Sequence, residues 1–205
     1  MTEVHVTRSA FDIIAIGSSA GGVEALHTVT RALSGDLDAA VLIVQHLDPR
    51  HNSILAFLLG RHCLLPVRQA GQDEEIVGGT VYVAPPDMHL LVAHGRVELS
   101  RSKLVHFTRP SIDLLFESVA GDYGARAIGV VLTGTGVDGA TGLRAIKRMG
   151  GTTIVQDPNT AAHRGMPQAA FATGCADHVL DLEEIGPTIN RLVGAGSSPA
   201  MRTAR

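Results

Sequence analysis

Short apolar runs alternate along the chain with longer segments whose apolar positions recur at helical spacing. The runs at 12–16 (DIIAI), 39–45 (AAVLIVQ), 127–132 (AIGVVL) and 152–156 (TTIVQ) show little polar alternation, as expected of strands covered on both faces. Segments 23–33, 52–61, 111–120, 142–149 and 183–192 read as helices between them. A short helix at 167–173 and a short strand at 178–180 complete the pattern. The middle of the chain breaks this rhythm. Residues 81–84 end in Pro85-Pro86, and 88–93 and 96–100 flank His94-Gly95, which predicts an antiparallel hairpin attached to the main sheet. Asp113, third in its helix, suits the positive end of that helix's dipole. The fold class expected is α/β: a doubly wound, mostly parallel sheet with helices on both faces and an antiparallel hairpin excursion. Residues 1–11 read as a lead-in, 12–193 as one catalytic domain, and 194–205 (GAGSSPAMRTAR) as a disordered tail.

Composition narrows the function. The chain has 205 residues, 45% of them hydrophobic and 18% charged, which suits a folded core and not disorder. Its 17 basic and 20 acidic side chains leave no electrostatic footprint for nucleic acid or an anionic membrane surface. Aromatic residues make up 3% and Trp is absent, against a stacking platform for single strands. No apolar run approaches the ~18 residues of a membrane span. The first residues lack a basic-then-apolar leader, so the expected location is cytoplasmic. Cys63 and Cys175 are expected as free thiols.

Sites in open α/β sheets form beyond the carboxyl ends of the strands, and three such ends carry chemistry here. In Gly17-Ser18-Ser19-Ala20-Gly21-Gly22, Ser19 is the centre of G-x-S-x-G between a strand and a helix, the setting of a nucleophile elbow. Amides around Ala20 and Gly21 are placed to hold an oxyanion. The plainer reading is a glycine turn in which Ser19 caps the helix. His46 ends the next apolar run, where a neutral imidazole can take a proton from Ser19 if the strands are neighbours. The plainer reading is a loop histidine. His46, Asp48 and His51 also invite a metal reading, but Asp48-Pro49 reads as a turn and no metal is expected. In Thr133-Gly134-Thr135-Gly136-Val137-Asp138-Gly139, Asp138 can orient His46 and complete a Ser–His–Asp set for acyl transfer. The same stretch spells G-x-G-x-x-G, and Asp157 follows 18 residues later, so a dinucleotide site is a second reading. A catalytically silent module is a third.

The stretches AIGSSAGGVEAL, VLIVQHLDP, VYVAPPDMHLL, RPSIDLLFESVA, IGVVLTGTGVDGATGLRAIKRMGG and VQDPNTAAHRGMPQAA, in this order, resemble the methylesterase domain of chemotaxis protein-glutamate methylesterases, the CheB family. The resemblance spans about residues 13–185. It implies a serine esterase that removes methyl groups from glutamate side chains of chemoreceptor cytoplasmic domains and releases methanol, with receptor glutamine deamidation as a companion activity and no cofactor. It puts the family's catalytic residues on Ser19, His46 and Asp138, an oxyanion contact near Thr135, and Arg109 and Met166 at the border of the site. Two positions depart from the family's usual pattern: Ala20 where a Thr is frequent, and Thr135 where a Met is common. These forms look most like variants fused to a methyltransferase module. Many relatives carry an N-terminal receiver domain. Here the first catalytic strand starts near residue 12, so a stand-alone form is expected, with a separate regulatory or methyltransferase protein as a possible partner.

Overall fold

The computed structural model describes residues 11–48 and 53–194. β1 (Ile13–Ser18) and β2 (Ala40–Gln45) are buried along their whole length, and they flank α1 (Gly22–Arg31) in the chain. α1 buries Ala25, Leu26, Val29 and Thr30, one stripe at helical spacing. After α2 (Leu55–Gly60) come β3 (Val67–Gln69) and β4 (Val81–Val83). The second half places α3 (Ile112–Tyr123), β7 (Ala127–Val131), α4 (Ala140–Arg148), β8 (Thr152–Gln156), α5 (Gly165–Phe171), β9 (His178–Leu180) and α6 (Leu182–Gly194). The seven strands of the main sheet lie in the order β3-β4-β2-β1-β7-β8-β9, and every neighbouring pair is parallel.

Helices cover both faces. One core holds Ile13, Leu42, Tyr82, Leu115, Phe116, Leu143 and Ile146, on the side of α3 and α4. The other holds Ile14, Ile43, Leu26, Val29, Ile185 and Ile189, under α1 and α6. Successive residues of β1 thus feed opposite cores, which is why its sequence shows no polar alternation.

The expected antiparallel hairpin is present, but it does not join the main sheet. β5 (His89–Ala93) and β6 (Arg96–Ser100) form a separate two-stranded sheet, with an isolated antiparallel bridge from Arg96 to Glu75. Pro85-Pro86 ends pairing with the main sheet, and α3 and the 73–76 segment supply partners for the hairpin instead. Val92 N–H donates to Ser118 Oγ at 3.0 Å, and the His94 and Gly95 amides donate to Asp122 at 3.0 and 2.8 Å. The three-residue β3 is unanticipated because Val67–Gln69 lies half-exposed at the sheet edge and is too short to show a period. The expectations for residues 1–10, for a helix start at 52 and for a tail from 195 lie outside the described residues. Among the described residues no helix is long and apolar enough to cross a membrane.

Candidate active site

β1 is the point where the sheet order reverses, with β2 on one side and β7 on the other. Chain segments leaving it diverge, and the crevice between them is where α/β sheets bind ligands. The register pairs Ser18 with Gln45 and Gly17 with Val131. The pairing extends one step further: His46 N–H donates to Ser18 O, and Ser19 N–H donates to Thr133 O, both at 3.0 Å. Ser19, His46 and the 133–139 turn therefore meet at one strand end. Buried Gln45 stiffens it, accepting from Ser18 Oγ at 2.7 Å and donating to the carbonyls of Ser19 and His46 at 2.7 and 2.9 Å. Gly134 lets the third turn close on the first. A Cβ there would lie 2.8 Å from Ser19 Cβ and 2.2 Å from Met166 Sδ.

His46 Nε2 lies 3.0 Å from Asp138 Oδ2, with both side chains largely buried. An ionised carboxylate only accepts, so Nε2 carries the proton and Nδ1 is left as the basic nitrogen. Burial pushes the Asp138 carboxyl up. The His46 hydrogen bond and the Ile112 and Asp113 amides outweigh it and hold the group below its ordinary value. Those amides begin α3 and donate at 2.8 and 2.9 Å, while Ser111 Oγ donates at 3.1 Å. The N-terminus of α3 thus stabilises Asp138 as an anion.

The arrangement is crossed. Asp113, in the first turn of α3, does not serve its own helix. Its Oδ1 accepts from Gly139 N–H at 2.9 Å and Gly142 N–H at 2.7 Å, at the start of α4, and its Oδ2 meets His106 Nε2 at 3.1 Å. Burial pushes the Asp113 carboxyl above its ordinary value against the pull of the Gly142 amide, and the charge of Asp138 pushes the same way. This disposes of the dinucleotide reading. The α4 amides that a pyrophosphate would need already hold Asp113, and Asp157 turns into its own loop, accepting from Asn159 N–H at 2.8 Å. It also bears on metal binding. His106, Asp113 and Asp138 bring ligand-type atoms within 4.8 Å of one another, but their carboxylates are filled by N–H and O–H donors.

A cleft of about 470 Å³ is lined by Ser19, His46, Thr135, Asp138 and the 106–108 turn. Among the described residues Ser19 Oγ has no hydrogen-bond partner, nor do the amides of Ala20 and Thr135. A hydroxyl, a carboxylate-held imidazole and spare amides at Ala20 and Thr135 are the parts that acyl transfer requires. Gly21 faces a different depression, with Glu24 and Thr133. Met166 is fully buried beneath Gly134. Arg109 donates to Asp87 at 2.6 Å and to the carbonyls of Arg101 and Ser102 at 3.1 and 2.9 Å, so its guanidinium braces a loop outside the cleft. Sequence reasoning missed His106 and His89. His89 is fully buried; its Nδ1 accepts from Ser111 N–H and its Nε2 lies on Lys103 O, both at 3.1 Å. Burial lowers its pKa, which keeps the ring neutral for those two bonds.

Residues 14–189 match the family model described as CheB methylesterase. The chain belongs to the CheB methylesterase family. A protein of Leptospira interrogans is 41% identical to it over 183 residues, 89% of this chain and 95% of its own length. The protein-glutamate methylesterase/protein-glutamine glutaminase of Moorella thermoacetica is 44% identical over 195 residues, and one from Cupriavidus pinatubonensis is 43% identical over 190. The chain covers 92% of itself in both matches but only 46% and 56% of those two relatives. The crystal structure of the Thermotoga maritima CheB methylesterase catalytic domain superposes with a TM-score of 0.85 at 35% identity, over 89% of this chain and 99% of that one. The CheB methylesterase fold is therefore the whole of the described α/β unit.

Proposed function

We propose that this chain is a serine hydrolase that cleaves γ-methyl esters of glutamate side chains in proteins, with methylated chemoreceptors as the substrate class. The observation that carries this reading is the His46–Asp138 pair beside an unpartnered Ser19 hydroxyl, in a chain of the CheB methylesterase family. Ser19 Oγ attacks the ester carbonyl while His46 Nδ1 takes its proton. Asp138 holds the ring and stabilises the imidazolium. The Ala20 and Thr135 amides receive the oxyanion, which needs no side chain and so tolerates Ala and Thr at these positions. His46 returns the proton to the departing methoxide, methanol leaves, and His46 then draws a proton from the water that cleaves the acyl-enzyme. A glutamine side chain presents the same acyl carbon with ammonia as leaving group, so the same residues serve the deamidation named in the relatives.

The test is methanol release from a methylated receptor fragment. Ser19→Ala is expected to lower kcat by up to ~10⁶ without changing the fold. Methanol release by Ser19→Ala at the wild-type rate would overturn the assignment.

A further inference from the structure

The segment 101–109 (RSKLVHFTR) crosses the mouth of the cleft. It holds three cations and no carboxylate, in a chain that is acidic overall. It is pinned at several points. His89 holds the Lys103 carbonyl, Arg109 holds those of Arg101 and Ser102, His106 meets Asp113, and Thr108 Oγ1 reaches Asp138 at 3.4 Å. Between these anchors the backbone closes a tight turn, with Val105 and Thr108 exchanging hydrogen bonds at 3.2 and 2.9 Å. The two residues at its tip, His106 and Phe107, have φ of 50° and 62°. Left-handed backbone is unfavourable for residues with side chains, and two in succession mark a turn where Asn-Gly is the relaxed choice. The strained turn presents Phe107 at 96% exposure, on the rim shared by the catalytic cleft and an adjoining groove of about 760 Å³. That groove is lined by residues 101–104 with His106, Phe107 and Arg109. Arg109 is committed to Asp87, but Arg101 and Lys103 are exposed and have no carboxylate partner among the described residues.

We infer that this strap is the specificity element for the esterase reaction proposed above, seating a polypeptide that carries carboxylates beside the reacting side chain. Phe107 packs on the aliphatic part of that polypeptide next to the ester. Arg101 and Lys103 pair with its acidic flank. A rigid strap holds these contacts ready, so little ordering is left for the moment of binding. Strain tolerated at an exposed aromatic, where Gly would relieve it, fits selection for contact and not for stability.

Two labelled peptides test this, each with one γ-methyl glutamate, flanked by glutamates in one and by glutamines in the other. Binding is read by fluorescence anisotropy on Ser19→Ala, so the ester survives. The acid-flanked peptide is expected to bind about tenfold tighter at low salt, with the margin shrinking as salt rises. Arg101→Glu/Lys103→Glu in the same background should erase that margin. Phe107→Gly should weaken both peptides about tenfold while its melting temperature holds or rises, and Phe107→Tyr should keep the affinity. Equal binding of the two peptides, or wild-type binding by Phe107→Gly, overturns the inference. If the binding pattern holds but the wild-type enzyme releases no methanol, the esterase reading fails and the docking surface stands. If methanol is released without the binding pattern, the docking surface alone fails.

Discussion

The Asp138 carboxylate accepts from His46 and from the amides of Ile112, Asp113 and Gly139, so neutralising it touches both fold and chemistry. In Asp138→Asn one oxygen becomes an NH₂ group facing N–H donors. We expect a stability loss of about 1–3 kcal/mol in denaturant melts, and a fall in methanol-release kcat of up to ~10⁴ from the wrong histidine tautomer. Asp157→Asn loses only contacts within its own exposed turn and should change neither by a comparable amount. If Asp157→Asn were the inactive variant, the assignment of the orienting acid would be wrong. The pH dependence has a definite sign. The folded protein holds the Asp138 pKa below the ~3.9 of an unfolded Asp. Its contribution is therefore complete above about pH 4 and is lost as pH falls through the lowered value. The stability gap between wild type and Asp138→Asn should narrow below about pH 4 in urea melts; a gap that widens there contradicts the electrostatic account. The convergence of Ser19, His46 and Asp138 on one strand end is legible in the sequence because each follows an apolar run. Asp113 and His106 are not. An acid in a helix's first turn reads the same whether it caps its own helix or, as here, reaches across to the next one.

α3 and α4 lie together because Gly142 leaves no side chain between them. A Cβ there would sit 2.5 Å from Phe116 Cβ and 2.8 Å from the Asp113 carbonyl oxygen. Helix propensity favours Gly→Ala by about 1 kcal/mol, yet at Gly142 the overpacking should win. Gly142→Ala is expected to destabilise by about 1–3 kcal/mol and to lower activity, since the same contact carries the Asp113–Gly142 hydrogen bond. Gly121 in α3 has open space around it, so Gly121→Ala should stabilise by roughly 0.5–1 kcal/mol. Propensity favours Ala at both positions, so it cannot by itself produce that pair of signs. Thermal or urea melts of the two variants check it, and stabilisation by both would show that the helices have room to part. The helices themselves are legible from apolar spacing to within a few residues. The hairpin's separation from the main sheet is not, because its partners are Ser118 and Asp122 on α3 and the backbone of the 73–76 loop, which have no period to announce them.

The parallel sheet explains why three residues so far apart in sequence meet. The crossover from β1 through α1 to parallel β2 puts Ser19 beside His46, and the change of direction to β7 brings the 133–139 turn to the other side. Alternating apolar runs and helices make that layout readable from the chain alone. The closed contacts at Gly134 and the crossed capping of α3 and α4 emerge only in three dimensions, and the capping is what excludes a dinucleotide at the glycine turn. The nucleophile is the centre of the account, and it is tested most directly by mapping covalent modification. The native protein is treated with a fluorophosphonate and digested, and the adduct is located by mass spectrometry. We expect one adduct, on Ser19, absent from Ser19→Ala and formed far more slowly in His46→Ala. An adduct on another residue, or none from a preparation that releases methanol, would contradict the account.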